Sequence, residues 1–185
     1  MSSDYFIVPT SPNYFCLQSI GSLRKHIIKW HKDIKRFKED NAFDSTFPIK
    51  NAPKFLGAIQ QRYRPRHEKP ATSFQLWIDK IRHEIVGTLV PSLATIGCTI
   101  DENEFRKVLG GTNLEPFDLA HVPDFNSLIV ISQQLSKPIF ALTDQEVKTT
   151  GKLFGYAETT LLENRDNFYD IFDSLAKRIK SLTQP

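Results

Sequence analysis

The chain has 185 residues, 40% hydrophobic and 24% charged, with 14 Phe, which supplies enough apolar bulk for a core and excludes disorder along the whole length. A net charge of +3 and a pI of about 8.8 are mildly basic and do not by themselves point to nucleic acid. Cys16 and Cys98, with no CxxC and no paired-His spacing, support neither a disulfide framework nor a zinc site, and read as reduced, buried thiols.

No apolar run approaches the roughly 20 residues that span a bilayer, and Met1-Ser2-Ser3-Asp4 lacks the regions of a signal peptide. A soluble, cytoplasmic chain with no membrane partner is therefore expected. The first element, Asp4 to Val8, is a continuous apolar run that reads as a central, parallel strand stopped by Pro9. An amphipathic helix over 17–39 follows, with Ile20, Leu23, Ile27, Trp30, Ile34 and Phe37 on one face and Ser19 as a candidate N-cap.

Residues 40–53 read as a loop and 54–61 as a second strand, which Arg62-Tyr63-Arg64-Pro65-Arg66 leaves as a loop. A helix from Thr72 to Leu89 carries Phe74, Trp77, Ile78, Ile81 and Ile85, and Pro91 interrupts its pattern. Asp101 to Glu104 opens a short helix ending at Gly110-Gly111. Residues 117–122 form a third strand closed by Pro123, and Asp124 or Asn126 caps a helix to Leu135. A short helix over 143–150 and a long one over 156–182 complete the chain. Strands alternating with helices predict parallel strands with crossover helices. Three strands are few for this many helices, which suggests one partial domain over 1–185.

The segment from Ser3 to Ile20, with its Asp-Tyr-Phe-Ile-Val-Pro run and Pro12-Asn13, resembles the strand after Walker B in the ParA/Soj branch of deviant P-loop ATPases. The order that follows fits too: a long helix, the strand and loop Phe55 to Tyr63, then Val122-Pro123-Asp124, Lys137-Pro138-Ile139 and a closing helix. Residues 92–118 resemble the family least and read as a variable insertion. The resemblance implies an α/β fold, the C-terminal portion of a doubly wound, mostly parallel P-loop NTPase sheet with flanking helices. It implies that Gln61, Arg62, Tyr63, Pro123 and Asp124 border the adenine pocket, at the carboxyl ends of strands where open α/β sheets bind ligands. It also implies a role in plasmid or chromosome partitioning in a bacterial cytoplasm, with a homodimer, a missing N-terminal half, nonspecific DNA or a ParB-like protein as partners.

The departure from the family is chemical. None of the eight glycines sits in GxxxxGK[ST] or KGGxGK[ST], and the Walker B aspartate strand is absent. ATP and Mg²⁺ are therefore expected only with the other half present, and no catalytic residue and no metal ligand is assigned. Two basic stretches remain. Arg24, Lys25, Lys29, Lys32 and Arg36 are either a solvated helix face or a surface that neutralises DNA phosphates. Arg62, Arg64 and Arg66, stiffened by Pro65, are candidates for nucleotide or DNA phosphate contact. His121, inside a buried strand, reads as a satisfied core histidine. The rivals to a base-side ATPase half are a stand-alone DNA-binding or structural module and an unrelated α/β enzyme.

Overall fold

A computed structural model describes residues 3–40, 52–63, 65–66, 69–70, 72–125, 127–151 and 155–184. Strand β1 (Tyr5–Thr10) uses aromatic and β-branched residues that suit a pleated ribbon. It runs one residue past Pro9, the expected stop. The reason is alternation: the carbonyl of Asp4 accepts from Lys54 N–H of the next strand, and past a one-residue irregularity in register at Phe6/Ile7 the pairing of Pro9 with Ile59 runs through Val8 and Thr10, since proline has no N–H. The N–H that proline lacks falls on the outer side, where no ladder bond is lost.

Helix α1 (Tyr14–Asp40) starts earlier than its apolar pattern suggests, because Asn13 Oδ1 accepts from Cys16 N–H at 2.9 Å. Ser19, expected as the cap, instead donates to the carbonyl of Cys16 within the helix. Strand β2 (Lys54–Tyr63) is longer than expected and is followed by a small antiparallel ribbon, β3 (Pro65–Arg66) with β4 (Lys69–Pro70), where the sequence suggested loop.

The helix from Thr72 does not end at Pro91. It runs as α2 (Thr72–Glu84), one π turn over Ile85–Leu89, and α3 (Val90–Ala94). The π turn widens the helix just ahead of the proline, whose ring would clash with the preceding turn of a regular α-helix. Helix α4 (Glu102–Val108) opens as expected, with the Asp101 carboxylate accepting from the N–H groups of Asn103 and Glu104. Strand β5 (Asp118–Pro123) leads to α5 (Ser127–Leu135), α6 (Asp144–Gly151) and α7 (Tyr156–Thr183).

The main sheet is parallel with order β1-β2-β5. Both crossovers step the same way, and right-handed connections then put their helices on one face; α1 packs on α2 and α3. β2 is the buried centre, with Phe55, Leu56 and Ala58 at 2% exposure or less. Helix α7 lies against β5, turning inward Leu161, Phe168, Leu175 and Leu182, which recur every seven residues. β5 has a carbonyl held from outside, since Arg178 of α7 donates to the oxygen of Leu119. β1, expected at the centre, is the opposite edge: among the described residues it pairs with β2 alone, and Tyr5 to Val8 are only half-buried. Of the two thiols, Cys98 is buried and Cys16 half-buried.

Candidate functional site at the strand ends

Parallel strands deliver their carboxyl ends to one rim of the sheet, and this is where the sequence-derived pocket residues fall. Register sets Gln61 beside Val122 and the backbone of Tyr63 beside Pro123. The rim is anchored from below. Thr10 and Gln60 are both 1% exposed, and the Thr10 hydroxyl donates to Gln60 Oε1 at 2.8 Å, tying the ends of β1 and β2. A buried hydroxyl and amide kept in such a bond fix both strands, because losing either partner strands the other.

Arg62 stands at the break in the β2–β5 register with φ of +62°, a left-handed backbone uncommon for a residue with a Cβ. Its side chain is exposed. Asp124 and Pro123 are half-buried, and the ring of the next residue, Phe125, lies 4.7 Å from that of Phe168 on α7. Gln61, Arg62, Pro123 and Asp124 thus share one rim. Arg64 lies outside the described residues, and of Arg66 only the backbone in β3 is described.

The basic residues of α1 separate into two groups. Lys25, Lys29, Lys32 and Arg36 are exposed along the ridge opposite buried Ile20 and Ile27. Arg24 is half-buried and turned toward α3, where its Nη1 lies 3.4 Å from the Ser92 hydroxyl.

One polar cluster was not anticipated. Asp118, 3% exposed in its side chain, receives both Arg82 Nη2 at 3.3 Å and His121 Nε2 at 2.6 Å on the same carboxylate oxygen. Burial pushes the Arg178 guanidinium below its ordinary pKa, and the Asp118 charge opposes that shift. Arg82 lies thirty-six residues from Asp118 in sequence, so no local spacing could announce the pair. His121 is accordingly a bonded histidine, though its side chain is 23% exposed.

Two cavities bordered by described residues lie away from the rim. One of about 690 Å³, beside Asp4, Tyr5, His31 and Lys54, opens at the amino ends of the strands. Another of about 420 Å³ lies between α2 and α4, beside Asp79, Arg82, Arg106 and Glu115. Among the described residues, no three His, Cys, Asp or Glu side chains gather as metal ligands, and no helix is long and apolar enough to cross a membrane. Compared with protein-family models, curated proteins and solved structures, the chain finds no match.

Proposed function

We propose that the chain is the base-side half of a ParA-type nucleotide-binding sheet, acting in DNA partitioning together with a half that carries the phosphate-binding turn. The observation that carries this reading is the pairing of Gln61 with Val122 and Tyr63 with Pro123, which brings the two candidate base-contacting loops onto one rim. Ligands of open parallel sheets lie at such rims. The guanidinium plane of Arg62 and the ring of Pro123 offer stacking faces, and Asp124 or backbone groups offer polar edges for an adenine. The residues fit a base. They do not fit a triphosphate, because no glycine-rich turn in the sequence wraps amides around phosphate. The other half would add that turn, with strands beyond the open edge of β1.

The test is ATP turnover and binding of a fluorescent ATP analogue, measured on the chain alone and with a ParA-type P-loop half supplied. Turnover is expected only in the second case, and Arg62→Ala should weaken analogue binding there by about tenfold, the worth of one stacked contact. Magnesium-dependent turnover by the chain alone overturns the reading.

A second reading has its own support. Lys25, Lys29, Lys32 and Arg36 form one exposed stripe, spaced about 4.5 to 6 Å apart at three- and four-residue steps along the helix. Such a row suits successive phosphates of a nucleic acid backbone. DNA binding that persists without nucleotide and weakens steeply with salt favours it.

A further inference from the structure

The outer edge of β1 has a hydrogen-bonding pattern that is its own complement. Asp4 bonds toward β2 ahead of the one-residue irregularity in register at Phe6/Ile7, and beyond it Pro9, which has no N–H, can pair with Ile59 only through Val8 and Thr10, so the backbone groups of Tyr5, Ile7 and Pro9 face outward. That edge therefore offers the N–H of Tyr5, the N–H and carbonyl of Ile7, and the carbonyl of Pro9. It lacks one donor, at Pro9. It also has one acceptor already used, since the Ser3 hydroxyl donates to the carbonyl of Tyr5.

The geometry points to a second copy of this chain as the occupant, its β1 running antiparallel across a two-fold axis at Ile7. In an antiparallel ladder, directly opposed bonded residues exchange both N–H···O bonds, and the next bonded pair lies two residues away on each strand. Ile7 then exchanges two bonds with its counterpart. Tyr5 faces Pro9 of the copy, so Tyr5 N–H donates to the Pro9 carbonyl. The reverse bond is the one proline cannot make, and its acceptor is the Tyr5 carbonyl that Ser3 already serves. The missing donor and the spent acceptor meet each other, and no polar group is left over.

Side chains agree with the backbone. Phe6 falls opposite Val8 of the copy, an aromatic and β-branched cross-strand pair of the favourable kind. β1 carries no charge between Tyr5 and Thr10, so nothing repels the copy, and its side chains from Tyr5 to Val8 remain half-exposed. On the other sheet edge, Arg178 already occupies the Leu119 carbonyl. The result is a continuous six-stranded sheet. This pairing needs no nucleotide, and a P-loop half on the same edge would displace the copy.

Sedimentation of the full chain, without nucleotide or any other protein, tests it. A monomer–dimer equilibrium in the micromolar range, insensitive to salt, is expected. Ile7→Pro removes an amide that β2 does not use, and should weaken the dimer by at least about tenfold through two lost bonds. In a Cys16→Ser background, Ile7→Cys should form an intermolecular disulfide, since opposed bonded residues are about 5.5 Å apart between Cα atoms. Val8→Cys should not, since its counterpart lies roughly 8 Å away along the ladder. A monomeric chain, a dimer indifferent to Ile7→Pro while the circular dichroism spectrum stays native, or equal cross-linking at both positions overturns the proposal.

Discussion

At Gly57 of β2 the backbone has φ of +147°, and a Cβ built there would lie 2.8 Å from the carbonyl oxygen of Phe117. That oxygen accepts from Ala58 N–H, so it cannot retreat without losing the bond that starts the β2–β5 ladder. Gly57→Ala should therefore cost at least about 2 kcal/mol in urea unfolding, strain and displaced ladder together. Asp118 makes a comparable demand through charge. Its carboxylate is buried between Arg82 and His121, and truncation to Ala leaves the partly exposed Arg82 guanidinium with only the exposed Asp79 carboxylate, 3.7 Å away, as counter-ion. Asp118→Ala should destabilise by about 2 kcal/mol, less than the loss of one member of a fully buried pair, because Arg82 is partly exposed and keeps Asp79. A double-mutant cycle with Arg82→Met should recover part of that loss. Neither residue was legible as critical from the sequence. A glycine in a strand and an aspartate at a strand's start are each ordinary, and what makes them matter is a neighbour sixty residues away for Gly57 and thirty-six for Asp118.

Whole elements are legible in the sequence where the signal is periodic or local. Helix α7 is legible through the aligned Leu161, Phe168, Ile171, Leu175, Ile179 and Leu182, and α4 through the acidic turn at Asp101. The helix through Pro91 was misread because proline forbids a regular α-turn, whereas a single π turn evades the clash. The opening of α6 is a capping box that also predicts a pH response. Thr143 N–H donates to Glu146 Oε2 at 2.9 Å, Glu146 N–H lies 3.3 Å from the Thr143 hydroxyl, and Lys137 donates to Oε1. The Lys137 hydrogen bond, then those from Thr143, hold the Glu146 pKa at about 2 against an ordinary 4.5. A carboxyl with a depressed folded pKa contributes its stability above the unfolded value and loses it as pH falls toward the folded one. Arg165 depresses Asp144 in the same direction. Stability should thus decline as pH drops from 4.5 toward 2, and Glu146→Gln should flatten that slope in acid titrations followed by circular dichroism.

Across the whole molecule, the α/β alternation and the three parallel strands follow from apolar runs separated by amphipathic helices. The lateral position of β1 does not. An apolar run reports that the faces of a strand are covered, while the hydrogen-bonding edges leave no trace in side-chain pattern, so a half-covered edge strand and a central one read alike. The same separation of face from ridge governs the basic helix. The residues Lys25, Lys29, Lys32 and Arg36 stand opposite the buried Ile20 and Ile27, so replacing all four by Gln removes charge without touching the core. The melting temperature should move little, since exposed substitutions of this kind are usually within about 0.5 kcal/mol. If the stripe neutralises four phosphates of B-DNA, the logarithm of the binding constant should fall with the logarithm of salt at a slope of about −3.6 in the parent chain. The quadruple variant should then approach zero slope, measured by fluorescence anisotropy on a labelled duplex. Arg24→Gln serves as the contrast, because its guanidinium is turned to Ser92 rather than to solvent, and it should leave the slope unchanged. A parent chain with no salt dependence would make the stripe a solvated face, and a slope that survives the quadruple variant would move the phosphate contacts to some other surface.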